Sequence, residues 1–434
     1  MHPPGSRYLA VLRRRPWVAA LLAAVLAAAA AAVAPTAVLS RPSPSPVPTR
    51  VRSWQDDIAY LAQELPRKHI HGLTGASRAT WDATAAQLEA EVPRLTDGQV
   101  TAGVLRLIAL LRDDETFLSV TWHRTYPFHA GWLGSGLYLT IVPAAHRDLL
   151  GARLEAINGH PLSEVIARLQ PEIDHQPQDT GIARDIEAGY MTLPEMLNWA
   201  GLARSPDTAT FTVRTTSGHR EDVTMAAVST DQATISALKL ARVPRTLAQT
   251  NATSPYWMRV FPARRAVYLK YNRCLPDSGF QRLARQSLAI LRQHARYRLI
   301  VDLRGNGGGS DTPFRTLIRG IRADPAINRT GRLFGLIDGE TDSSATLDAN
   351  SLGARTNALL IGQEVEDPVD TYGNNTGLLT LPHSHLPVIY TTNVANPSGN
   401  RLATPDIVIV PTVSQVLAGT DPVLDRALSY RVRS

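Results

Sequence analysis

The chain is 434 residues long, enough to bury more than one core, and its 45 basic against 38 acidic residues give a formal charge of +7. Seven arginines and no acid fall within the first 52 residues. The remainder therefore carries 38 residues of each sign, which argues against a nucleic-acid partner. A single cysteine, Cys274, excludes an intrachain disulfide and a thiolate metal cage, and the sequence supports no metal site and no cofactor.

The N-terminus, residues 1–40, reads as an export signal or membrane anchor. Arg13–Arg15 form its charged part, and Trp17 to Ala34 is continuously apolar. Small residues at Ala30 and Ala32 suit cleavage, whereas Pro35 hinders a cut after Ala34. The expected location is extracytoplasmic, either secreted or tethered to a membrane through this segment. A Pro/Ser-rich linker follows over residues 41–52.

Residues 53–130 carry apolar positions at helical spacing over Trp54–Leu65, Ala76–Val92 and Asp97–Leu111, which predicts a helical region. Over residues 131–228 the pattern turns to short strands: GLYLTIV, ARLEAINGHPL and ATFTVRTTSGHREDVTM, interrupted by a helical insertion at about 162–203. The segment LGARLEAINGHPLSEVI resembles the strand–turn–helix of PDZ-like modules. Residues 229–256 read as a linker. From 257 to 434 strand and helix alternate: AVYLKY, a helix through Phe280–Leu291, RLIVDL, a helix over Thr312–Arg322, RLFGLID, a helix over Ser344–Ala354, and NALLIG. Such alternation predicts a mostly parallel sheet whose loops meet at its carboxyl edge.

Two of those loops can carry chemistry. LIVDLRGNGGGSD (Leu299–Asp311) runs from a buried strand into three glycines, whose bare N–H groups can hold an anion or an oxyanion. The turn DGETDSS (Asp338–Ser344) places Ser343 at a strand-to-helix junction. There it is either a helix N-cap or a nucleophile with the Ser344 N–H aimed at a substrate oxyanion. GNGGGS also imitates a dinucleotide fingerprint, but Ser310 stands where the third glycine or alanine belongs.

Together these segments resemble the tail-specific, or C-terminal-processing, serine peptidases and the related tricorn core. LIVDLRGNGGG is similar to their DxRGNGGG signature, and DGETDSSATLDANSLGARTNALLIGQ to their nucleophile turn and following strand. TYGNNTGLLTLPHSH and TPDIVIVPT…GTDPVLDRALSY are similar to their later segments, and LRDDETFLSV stands in the place of their DGHT element. The resemblance implies a crotonase-like (ClpP/crotonase-type) α/β core after a helical segment and a PDZ-like module. It implies a polypeptide substrate or peptide ligand and leaves the oligomeric state open. Ser343 would be the nucleophile, and the N–H groups of Gly308 and Ser344 would stabilise the oxyanion.

The departures concern the base. Relatives with a Ser–Lys dyad carry the lysine where this chain has Pro368, and its three lysines, Lys68, Lys239 and Lys270, all precede Ser343. The histidine of DGHT is Glu115 here. Glu115, His383 and His385 are the replacement candidates, the last two expected on one strand and facing one way. His69 and His71 are expected to be structural, and Asp302 and Arg304 to brace the glycine loop. Serine is a weak nucleophile without a base. The expectation is therefore an acyl-enzyme peptidase, with a catalytically impaired peptide-binding homologue as the alternative.

Overall fold

The computed structural model describes residues 49–73, 75–175, 180–365, 376–393 and 403–431. The signal or anchor segment, most of the linker and Pro368 lie outside them. Helix α1 (Arg50–Lys68) begins inside the segment expected to be linker, because Thr49 caps it by accepting the Arg52 N–H. It packs with α2 (Arg78–Glu91) and α3 (Asp97–Ala109), burying Trp54, Ile58, Leu61, Trp81 and Leu107. Each fully buried large aliphatic side chain contributes about 1.5–3 kcal/mol. No helix among the described residues is long and apolar enough to cross a membrane.

The middle of the chain forms a seven-stranded antiparallel sheet. Its main path runs Leu240–Arg242, Gly136–Pro143, Arg153–Ile157, Thr208–Arg214 and Arg220–Ala226. The helical insertion expected near 162–203 is present as Leu162–Leu169, Thr180–Tyr190 and Pro194–Trp199.

The C-terminal sheet has six strands in the order β1 (Tyr256–Phe261), β2 (Ala266–Tyr271), β3 (Arg298–Asp302), β4 (Leu333–Ile337), β5 (Leu359–Gly362) and β6 (Ile407–Val408). All neighbours are parallel except β1 with β2. The strand β1 replaces the end of the expected linker. Alternation along the strands buries both faces: Val267, Leu269, Leu299 and Val301 meet α4 (Gly279–Gln293), α5 (Arg315–Arg322) and α6 (Ser344–Arg355). Tyr268, Ile300 and Phe334 face the last helix, α7 (Pro422–Ser429). Right-handed parallel crossovers bring the loops after β3 and β4 to one edge.

A further three-stranded sheet joins distant parts of the chain. The hairpin Gly377–Thr380 and Pro387–Tyr390 pairs with Phe117–Leu118, and Leu379, Leu381 and Val388 enter the core built on the N-terminal helices. The C-terminal third of the sequence thus supplies part of the N-terminal core.

Candidate active site

The site is assembled from the two loops at the carboxyl edge of the C-terminal sheet. The loop after β3 starts with a buried ionic brace. Asp302 is fully buried and receives the Arg304 N–H and guanidinium and the Tyr268 hydroxyl, the last at 2.7 Å. Arg304 forks onward to both carboxylate oxygens of Asp421, each at 2.8 Å, and Asp421 caps α7. Burial would raise the Asp302 carboxyl, but the Arg304 and Lys270 charges outweigh it and hold it below the usual carboxylate range. The expectation that Asp302 and Arg304 brace the loop is met. Asp421 was not singled out, although its GTDPVL segment was.

Lys270 is buried beneath the same loop and donates to the Arg304 carbonyl at 2.5 Å. Burial pushes its ammonium down. Asp338, at the end of β4, ties the two loops at their roots by accepting the Gly305 N–H at 3.0 Å and the Glu340 N–H at 3.2 Å. Burial, reinforced by Glu340, raises its carboxyl to about 6.

The glycines then meet the serine turn directly. The Asp342 N–H donates to the Asn306 carbonyl at 2.9 Å, and the Ser344 hydroxyl donates to the Gly309 carbonyl at 2.8 Å. A Cβ on Gly308 would lie 2.6 Å from the Ser343 Cβ and 2.9 Å from the Ser344 nitrogen. Only glycine permits such a close approach to that nitrogen. Ser343 itself adopts φ +53° and ψ −125°, far from the left-handed helical basin near φ +57°, ψ +47°. Holding a non-glycine residue there costs about 1–3 kcal/mol. Its side chain makes no capping bond to α6. The N-cap reading of this hydroxyl is not realised, and the Ser343 backbone makes a strained strand-to-helix turn.

One expected donor is corrected. Gly308 turns its N–H inward to Asn306 Oδ1 at 3.0 Å, because the Asn306 side chain folds back over its own loop. The next peptide faces the other way. The Gly308 carbonyl accepts the Cys274 N–H at 3.0 Å, and the Ser310 N–H donates to the Cys274 carbonyl at 2.7 Å. In planar trans peptides N–H and C=O oppose each other, so the Gly309 N–H and carbonyl both point away from Cys274. That carbonyl is the one that receives Ser344.

The base candidates come from other elements of the fold. His383 and His385 sit on the turn of the C-terminal hairpin, not on a strand, and His385 has φ +56°. Pro382 and the positive φ end the alternation that would have set both on one face. The turn is clamped onto α1: the Asp57 carboxylate accepts the His383 and Ser384 N–H groups at 2.7 and 2.8 Å, and His383 Nε2 lies 3.6 Å from Asp56. Neither histidine side chain hydrogen-bonds Ser343. Glu115 is half-buried in the turn after α3, with its N–H donated to Asp113 Oδ1 at 3.0 Å. Asp113 is the hub of that turn: its Oδ2 receives Thr116, Thr391 and the buried His69. His69 is structural, as expected. Asp57 and Asp113 were missed by the sequence reading. For Asp57 the available signal was an acid at a core position of the apolar stripe Trp54, Ile58, Leu61.

Among the described residues no group of three His, Cys, Asp or Glu side chains could hold a metal ion. No protein-family model and no curated protein matches the chain. Solved structures do. Mature CPAF complexed with lactacystin matches at a TM-score of 0.55 and 11% identity, over 87% of this chain and 98% of that one. A serine-to-alanine mutant of CPAF matches at a TM-score of 0.56 and 11% identity, over 87% and 96%. The likeness to the photosystem II D1 C-terminal processing protease is looser, with a TM-score of 0.39 at 11% identity over 86% and 98%, and adds nothing to the fold. The chain has the fold of CPAF over most of both lengths, and the resemblance read from its motifs holds at the level of fold.

Proposed function

We propose that this protein is a serine-type peptidase of the tail-specific kind, acting through an acyl-enzyme on Ser343. The observation that carries the reading is the Ser343 backbone, strained at φ +53°, ψ −125° and set against a glycine loop that closely approaches the Ser344 nitrogen. The Ser343 hydroxyl attacks the scissile carbonyl of a polypeptide, its proton passes to a base, and the carbonyl oxygen becomes an oxyanion. The Ser344 N–H and the outward Gly309 N–H stabilise that oxyanion, in place of Gly308. The acyl-enzyme forms as the amine leaves and is then hydrolysed by water.

Glu115 is the proposed base, since Pro368 cannot serve and the two histidines belong to the α1 clamp. The crotonase-like description of the core, the PDZ-like description of the middle sheet, export through residues 1–40 and a membrane tether remain part of this reading.

The test is hydrolysis of an unfolded polypeptide by the full chain, with Ser343→Ala and Glu115→Gln alongside. Cleavage lost in Ser343→Ala supports the enzyme. Loss of a general base lowers the rate on the order of 10²–10⁴-fold, and Glu115→Gln is expected in that range. Peptide binding without cleavage, unchanged in Ser343→Ala, would overturn the reading.

A further inference from the structure

We propose that Asn306 is the positioning residue of this site, selecting which N–H of the glycine loop faces the substrate. The inference rests on the peptidase reading and adds the residue that sets the loop's orientation. Asn306 is fully buried and engaged on every side. Its side-chain oxygen accepts the Gly308 N–H at 3.0 Å, and its Nδ2 donates to the Tyr271 carbonyl at 2.9 Å, at the end of β2. Its backbone carbonyl accepts the Asp342 N–H at 2.9 Å, one residue before the nucleophile. A single side chain therefore fixes the glycine loop to a core strand, while its main chain fixes the same loop to the Ser343 turn.

The consequence follows from peptide geometry. With the Gly308 N–H drawn inward, the Gly307 carbonyl in the same peptide points outward, and the Gly308 carbonyl is free to meet the Cys274 N–H. The following peptide then presents the Gly309 N–H away from Cys274, on the side where the Gly309 carbonyl holds Ser344. Without an acceptor at Asn306 the Gly308 N–H would be buried and unsatisfied, and the loop would relax by rotating that peptide. The rotation would reorder the glycine-loop donors facing Ser343.

Below Asn306 lies the Cys274 thiol, which also reaches the Asn306 Oδ1 at 3.7 Å. The Cys274 thiol lies 3.4 Å from Nδ2 and 3.6 Å from the Asp348 carboxyl of α6, so the underside of the loop is closed by a weakly bonding sulfur.

The experiment uses the full chain with Asn306→Ala and Asn306→Asp, reading two quantities in parallel. One is amide exchange at Gly308, and the other is the rate at which a fluorophosphonate probe labels Ser343. In folded Asn306→Ala the Gly308 amide is expected to lose its protection while β3 keeps it. Labelling is expected to fall about 100-fold, the scale of a 1 Å misplacement at a reacting centre. Asn306→Asp keeps an acceptor oxygen and is expected to restore slow exchange at Gly308, which also decides the matter if the alanine variant does not fold. Unchanged Gly308 exchange in folded Asn306→Ala, or fast exchange in folded Asn306→Asp, overturns the proposal. Absence of labelling in the wild type would count against the peptidase reading alone, and the exchange measurement would still judge Asn306.

Discussion

Of the turns that follow a strand and carry a non-glycine residue at positive φ, two bear comparison: Ser343 at +53° and His385 at +56°. The His385 turn is anchored from outside, with Asp57 of α1 taking two of its N–H groups and Leu381 entering the core. The Ser343 turn has its backbone pinned to the glycine loop, and its hydroxyl does not cap the helix it begins. The difference teaches how to sort candidate residues. Local strain whose compensation is visible in docking contacts is part of the architecture. Strain held in place where a glycine loop closes on a serine and the start of a helix has the form expected of a reaction centre.

The comparison can be broken first at the brace beneath the glycine loop. Arg304→Ala leaves Asp302 buried without its main countercharge, and removing one partner of such a pair costs about 3–5 kcal/mol. Urea unfolding should register that loss, and a change below 1 kcal/mol would remove the brace from the account. Gly308→Ala comes next. The added methyl falls on Ser343 and the Ser344 nitrogen, so probe labelling should drop about 10²–10³-fold, as for loss of one oxyanion donor. Labelling at the wild-type rate would mean that the Ser344 N–H faces nothing.

Asp338 sharpens the account through pH. Its folded carboxyl titrates near 6 against 3.8 for an ordinary aspartate, with burial the main cause. The folded state keeps a proton that the unfolded chain has already released. The stability from this group is full below about pH 4 and is lost as pH rises through 6. Measured as wild type minus Asp338→Asn, unfolding free energy should fall across that window by on the order of 3 kcal/mol. A flat difference would contradict the burial of this carboxyl. The smallest effect belongs to the other turn: His383→Ala and His385→Ala should leave labelling within about twofold, since loss of a base would cost 10²-fold or more.

Much of the site was legible because its logic is local. Three glycines directly after an apolar strand, and hydroxyl and acidic residues between strand and helix, announce themselves within a dozen residues. That the glycine loop and the Ser343 turn share one sheet edge followed from the alternation of strand and helix, whereas Gly308 itself was implied by the resemblance. The orientation of the Gly308 N–H followed from neither, because it depends on one rotamer of Asn306, and a sequence pattern does not specify side-chain torsions. The histidines were misplaced for a different reason. LPHSH alternates like a strand, but Pro382 and the positive φ of His385 make it a turn, and its true partner is Asp57, more than 300 residues earlier. A long-range carboxylate hub such as Asp57 leaves only a faint trace, an acid at a position where helical spacing asks for an apolar residue, and Asp113, in the turn after α3, leaves none of that kind. The segment 229–256 was read as linker because its strand Leu240–Arg242, paired with Gly136–Pro143, is too short to show an alternation.

The most direct measurement is to treat the full chain with a fluorophosphonate between pH 4 and 8 and locate the adduct by peptide mapping. A phosphonyl group on the Ser343 oxygen, absent from Ser343→Ala and undiminished in His383→Ala, is the predicted result. An adduct on Ser344 or on a serine outside this turn, or none across that range, would contradict the claim that position 343 is the nucleophile.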